Sequence, residues 1–435
     1  MSLSAAVIGA GPAGIYAAEA LARHIDDIAI DITDRLPTPY GLVRAGVSPD
    51  HQSTKAVSRV LERTLKRDCI RLLGNVALGR YISLDELRNL YDIVILAQGA
   101  EEDRPLAIPG EDLPGVYGSM DVVGWYNAHP DYVRTRLQLE TVRHVAVIGN
   151  GNVAIDVARV LNRTPEEMLT TDMPDYALDE LRVSTIENTT ILGRRGPLQA
   201  AFTQQEIAEL QHMADADILV RAEQIPADAG GFPEKTRKAK EANLRILRQY
   251  TAPPQGAARQ IRFEFFARPV AFLGEGRLQA LRLERTRLHD GICEGTGEFF
   301  EIPCDMAVTC VGYRCVSLPG LVLDERGILN NEEGRIDKGF YAVGWAKRGP
   351  SGTIGANRSD SQDVVRTILA ETGDLGGKPG GKALDTLLGQ RGISVVDFEG
   401  WKRIEAAETA AAREGAPRRK LETIEEMIAI ARGVP

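Results

Sequence analysis

The chain has 435 residues, 52 of them Lys or Arg against 61 Asp or Glu, for a formal charge of −9. With 43% hydrophobic and 26% charged residues, a disordered or collagen-like chain is excluded, and the length suits two or three domains with cores of their own. The acidic balance argues against a nucleic-acid binder held by phosphate contacts. No apolar run approaches the roughly 18 residues of a membrane span, and the opening MSLSAAVIG lacks the basic start of a signal peptide. A cytoplasmic protein is expected.

Residues 5–8 read as a short strand, followed by Gly9-Ala10-Gly11-Pro12-Ala13-Gly14, helical spacing over 15–22, and a second strand over 28–33 ending at Asp34. A lone GxGxxG is a weak signal. Between strand and helix, with an acid closing the second strand, it predicts a dinucleotide fold. Gly9 permits the tight turn, Gly11 lets backbone approach a pyrophosphate, and Gly14 lets helix pack on strand. The helix N-terminus offers N–H groups to phosphates, and Asp34 would accept hydrogen bonds from a ribose. Further on, Asp50 is expected to cap a helix beginning near Gln52, which makes His51 an ordinary first-turn histidine on local grounds. The apolar strand 93–97 runs into Gln98-Gly99-Ala100 and a Pro/Gly-rich stretch. A domain crossing is expected near Ala107.

A second unit of the same kind starts at the strand 145–148, with the turn Gly149-Asn150-Gly151-Asn152-Val153-Ala154 and a helix over 155–161. Ala replaces the third glycine, a common variant. Its partner strand, 189–192, is delayed by an insertion over 162–188 and ends in Gly193-Arg194-Arg195-Gly196 instead of an acid. A carboxylate there would repel a 2′-phosphate, whereas two guanidiniums can clamp it. The site therefore reads as one for NADP(H), the plainer alternative being an Arg pair on a solvated turn. Two dinucleotide folds in one chain point to one tightly held flavin and one exchangeable nicotinamide.

The run 234–248 holds Lys235, Arg237, Lys238, Lys240, Arg245 and Arg248 against Glu234 and Glu241, a surplus of four positive charges in an acidic chain. At helical spacing these need not share one face. The run is either solvated surface or a docking face for an acidic partner. The five cysteines are too few and scattered for a disulfide framework. Cys310 and Cys315 have the spacing of one flavin-linked disulfide, but they close an apolar run and read as structural. No cysteine set has iron–sulfur spacing. A strand over 306–311, a return crossing near Gly334, a segment over 340–346 and a charged helix over 404–413 complete the expected order.

Several segments are too specific to be carried by glycine turns alone. PTPYGLVRAGVSPDH (37–51), VGWYNAHP (123–130), IGNGNVAIDVARVL (148–161), GRRGPLQAAFTQQE (193–206) and YAVGWAKRGPSGTIGANRSDSQD (341–363) resemble adrenodoxin reductase, most closely its bacterial counterparts, the NADPH–ferredoxin reductases. The resemblance implies an α/β, glutathione-reductase-like fold with two Rossmann-like domains. The FAD domain would be discontinuous: 1–106 and 334–435, around an NADP domain over 107–333. It implies FAD contacts at Gly9, Gly11, Ala13, Gly14, Asp34, Leu42, Leu78 (through its backbone), Trp345, Gly352, Thr353 and Ile354. NADP(H) contacts would be Asn150, Gly151, Asn152, Val153, Arg194, Arg195 and Glu206, with Gly352 close to the nicotinamide. The family places His51 at the flavin and Glu209 near the nicotinamide, and Asp156 and Lys347 match a charged pair on that side. Gly344-Trp345 stands where the wider disulfide reductases usually have Gly-Asp. The implied reaction passes electrons from NADPH through FAD to a ferredoxin-like iron–sulfur protein, which would dock on Arg237, Lys238, Lys240, Arg245 and Arg248 and feed a cytochrome P450 or another oxygenase. A helix starting near Thr353 would aim its positive end at the flavin.

Overall fold

The computed structural model describes residues 3–433. The chain divides into two compact units, one taking the described residues of Met1–Glu102, Asn127–Pro130 and Gly312–Pro435, the other Asp103–Tyr126 and Asp131–Val311.

The first unit is built on a six-stranded sheet in the order Arg335–Asp337, Phe340–Ala342, Ile93–Leu96, Ser4–Ile8, Ala29–Asp34, Ile70–Gly74. All neighbours are parallel except the antiparallel edge pair. Ile8 stands opposite both Thr33 and Leu96. Three strands therefore end level, and the loops that follow them emerge at one carboxyl edge, where open α/β sheets bind ligands. The alternating and continuous apolar runs of these strands bury Val7, Ile32, Ile95 and Tyr341 in one core with Ile15, Val365 and Trp401.

The return into this unit falls at Gly312, earlier than the expected Gly334. The strand Met306–Thr309 ends three residues before, and the stretch that follows bonds within the first unit: Leu329 donates its N–H to Ala346 at 3.0 Å and the Cys315 thiol to Gly99 at 3.3 Å. The extended segment expected over 340–346 stops at Ala342, because Gly344 takes φ +66° and a short helix, Trp345–Arg348, begins. Asp50 does not cap the helix Gln52–Lys55. His51 is its N-cap, without a side-chain cap bond, and the Asp50 carboxylate accepts from the Ser48 hydroxyl instead. Near the C-terminus the helix Phe398–Ala410 is capped by Asp397, and it carries Glu408, wholly buried, to Arg44 (2.9 Å), Arg418 (3.4 Å) and the Leu421 N–H (2.9 Å).

The second unit has a wholly parallel sheet in the order Val116–Gly118, Met306–Thr309, His144–Ile148, Asn188–Gly193, Arg259–Phe265, Ala216–Val220. A three-stranded antiparallel sheet, Ala267–Leu273, Ala280–His289 and Ile292–Pro303, is added to it. The insertion after the second glycine turn supplies the helices Pro165–Met168 and Asp175–Arg182, and the basic run forms the helix Glu234–Gln249. All five cysteines are free thiols. Among the described residues no helix is long and apolar enough to cross a membrane.

Candidate dinucleotide-binding sites

In the first unit the turn after Ser4–Ile8 is closed by main-chain packing. Gly9 has φ +115°, and a Cβ there would run into the Ala97 carbonyl, so only glycine serves. Asp34 accepts the Ala10 N–H at 2.8 Å and the Leu36 N–H at 2.9 Å. Burial pushes its carboxyl above the usual range, against those two donors and Arg35. Each oxygen keeps a second lone pair for a ribose hydroxyl. The Gly11 Cα faces open space: a Cβ there would meet nothing nearer than the Gly41 Cα at 4.0 Å, and Leu42 opens the short helix just beyond Gly41. Leu78 lies in the loop after Ile70–Gly74 and bridges to Ile82.

The C-terminal part of the chain reaches the same turn. Ser361 donates its hydroxyl to the Ala13 carbonyl at 2.9 Å, and a Cβ on Gly344 would stand 2.5 Å from that of Ala13. Asp360, buried, accepts the Gly344 N–H at 2.6 Å and the Lys347 ammonium at 3.1 Å. Trp345 stacks on Tyr313 with centroids 6.0 Å apart. The helix Ile354–Glu371 begins after Gly352 with Thr353 as N-cap.

In the second unit the segment after Arg194-Arg195 folds back onto its own glycine turn. The N–H groups of Ala201 (2.8 Å) and Phe202 (3.0 Å) bond the Asn150 carbonyl, and the Thr203 N–H bonds the Asn152 side chain at 2.8 Å. The Arg194 carbonyl accepts from the Thr286 hydroxyl at 2.7 Å and the Cys293 thiol at 2.9 Å, which fixes the backbone while both guanidiniums stay exposed. Asp156, Glu206 and Glu209 surround Arg159, at 2.7, 3.5 and 3.8 Å from its guanidinium, and Arg159 itself has no exposed surface. Val153 lies in the first turn of the helix Asn152–Asn162.

Both turns fit a dinucleotide. The helices Pro12–His24, Asn152–Asn162 and Ile354–Glu371 start at Gly11, Gly151 and Thr353 without any side-chain cap bond. Helices such as Leu84–Leu90 and Ile424–Ala431 are closed by capping boxes instead. The N–H groups of the first three are left for a ligand. A Cβ on Gly151 would meet nothing within 4 Å. The Gln98 amide, just past Ile93–Leu96, has both polar atoms buried without a partner, as has the Asn150 Oδ1. Such orphans require a group that these side chains alone do not supply.

The model of the pyridine nucleotide-disulphide oxidoreductase family matches residues 3–223. NADPH-ferredoxin reductase FprA of Mycobacterium leprae is 39% identical over 448 residues, 98% of either chain. The mitochondrial NADPH:adrenodoxin oxidoreductase of Arabidopsis thaliana is 37% identical over 99% of this chain and 95% of its own. The chain belongs to the adrenodoxin reductase-type NADPH–ferredoxin reductases. The solved structure of Mycobacterium tuberculosis FprA in complex with NADPH matches with a TM-score of 0.95, at 38% identity and over the whole of both chains. An adrenodoxin reductase-type chain has the glutathione-reductase-like fold, with Rossmann-like domains for FAD and for NADP, and the expectation of both cofactors is met.

Three residues beside these turns escape a reading of the sequence. Gln98 was visible only as the end of an apolar strand. Arg159 sits three positions after Asp156 in a helix, where an arginine ordinarily faces water. Asp360 lies in a quoted segment, but nothing local says that it turns inward. Asp156 and Lys347 meet Arg159 and Asp360 respectively, each within its own unit.

Proposed function

We propose that this protein is a ferredoxin–NADP+ reductase that moves electrons from NADPH through FAD to a ferredoxin-like iron–sulfur protein. One observation carries the reading: two uncapped glycine turns in one chain, the first closed by Asp34 and the second by Arg194-Arg195. An acid and an arginine pair at equivalent places select different dinucleotides. Together the bound cofactors supply hydride transfer and the splitting of an electron pair into single electrons; the protein supplies binding, alignment and charge.

The first turn, with Asp34, Leu42, Leu78, Trp345, Gly352, Thr353 and Ile354, holds FAD, and Gln98 joins that set. Asn150–Val153, Arg194, Arg195 and Glu206 hold NADP(H). Arg159 pairs with Asp156, Glu206 and Glu209 and orients them, and Asp360 fixes the Gly344 turn and the Lys347 ammonium. His51 and Glu209 serve proton balance and cofactor positioning. Arg237, Lys238, Arg245 and Arg248 present the basic face that an acidic ferredoxin meets. The reduced ferredoxin would feed a cytochrome P450 or another oxygenase, and the protein would work in the cytoplasm.

The test is NADPH-driven cytochrome c reduction with and without added ferredoxin. Reduction that depends on ferredoxin supports the reading. An equal rate without it makes the protein a diaphorase that needs no protein partner.

A further inference from the structure

Of the six basic residues on the helix Glu234–Gln249, Lys240 behaves differently from the rest. At about 100° per residue, Arg237, Lys238, Arg245 and Arg248 fall within roughly a third of the circumference, and all four are exposed. Lys240 falls outside that sector, about 60° beyond Arg237, in the arc of the buried Asn243, Leu244 and Leu247. Its side chain is half-buried, its ammonium lies 4.5 Å above the Phe232 ring, and it donates to the carbonyl of Leu198. One turn further along, the Asn243 amide donates to the Phe202 carbonyl at 3.1 Å. The helix thus grips the loop after Arg194-Arg195 with two side chains.

The grip brings a third cation to that loop. Among the described residues no carboxylate pairs with Arg194, Arg195 or Lys240. Partial burial, and then the Arg195 charge beside it, push the Lys240 ammonium below its ordinary pKa. A lysine whose only purpose was to hold a carbonyl would be served as well by a neutral donor, without placing like charges together. Three unneutralised cations around one loop are suited to a dianion.

We propose that Lys240 contacts the 2′-phosphate of NADP(H), and so helps set the preference for the phosphorylated nicotinamide over NADH, instead of docking ferredoxin. The proposal rests on the reading of Arg194 and Arg195 as the 2′-phosphate site. Lys240 supplies a point charge from the side, where the two guanidiniums supply flat, paired donors.

The experiment compares Lys240→Gln, Lys240→Arg and Arg195→Gln in ferricyanide reduction by NADPH and by NADH, which needs no ferredoxin, together with the KM for ferredoxin. Gln keeps an N–H donor, one bond shorter than the ammonium, and removes the charge. Lys240→Gln should raise the NADPH KM about tenfold, a loss of one charge-assisted contact, with kcat, the NADH reaction and the ferredoxin KM unchanged. Lys240→Arg should restore most of the NADPH affinity. Two results overturn the proposal: an unchanged NADPH-to-NADH preference in Lys240→Gln, or an equal weakening of both nucleotides, which would mark a structural clamp. If Arg195→Gln lowers the preference while Lys240→Gln does not, the arginine reading stands and the proposal falls. If neither changes it, both fall.

Discussion

Arg159 is wholly buried among three carboxylates, Asp156, Glu206 and Glu209. A guanidinium taken out of water is tolerated only where carboxylates replace its hydration, and those carboxylates in turn need it. Removing one side of such an arrangement leaves uncompensated buried charge, so Arg159→Met should lower unfolding stability by about 3–5 kcal/mol, read by urea titration of the holoenzyme. A loss within 0.5 kcal/mol, the range usual for an exposed surface change, would deny Arg159 this role. Gly344 makes a second case. Its φ of +66° and its approach to Ala13 leave no room for a side chain, so Gly344→Val should be purified with little flavin, measured by absorbance; full flavin content would show that this turn can shift. The resemblance had singled out each of the three carboxylates, and the structure brings them together around one arginine. Their shared partner was not, because burial of one helical arginine depends on what packs over it.

At the scale of elements, the strand–turn–helix units were legible because their signals are local: apolar alternation, glycine spacing, and the acid or arginine pair at the strand end. The faces of the basic helix were less so. The sequence shows six positive charges in sixteen residues, but only packing against the loop 197–202 decides that Lys240 points inward. The helix Phe398–Ala410 offers an element-scale prediction. Burial would raise the Glu408 carboxyl, but the charge and hydrogen bonds of Arg44, the Leu421 N–H and Arg418 overcome it and hold it below its ordinary value. A depressed carboxyl stabilises the native chain above its unfolded pKa, near about 4.3, and that contribution is lost as pH falls through the lower folded value. Glu408→Gln should therefore melt earlier than the parent at pH 7, and the gap should narrow steadily below about pH 4. A gap that is constant with pH would mean that Glu408 acts through packing alone.

For the whole molecule, the net charge of −9 conceals a local surplus of positive charge on one helix. Partner choice follows the local field more than the total. If an acidic ferredoxin meets Arg237, Lys238, Arg245 and Arg248, its KM should climb steeply with ionic strength while the KM for a neutral quinone stays flat. Parallel behaviour of the two acceptors would remove docking from this helix. The domain crossings were less legible than this charge: the return at Gly312 follows from bonds such as Leu329 to Ala346, which join residues distant from any composition shift.

The interrupted first unit also has a consequence in time. Ile93–Leu96 stays an open edge until Phe340–Ala342 has been made, and Ala13 waits for Gly344 and Ser361. Synthesis of the intervening chain takes on the order of ten to fifty seconds at roughly 5–20 residues per second. In that interval nearly all of the second unit leaves the ribosome with the residues of its own core. The second unit can therefore fold first during translation. The first glycine turn gains these neighbours late, so a ligand held there would be captured among the last steps of the enzyme's birth.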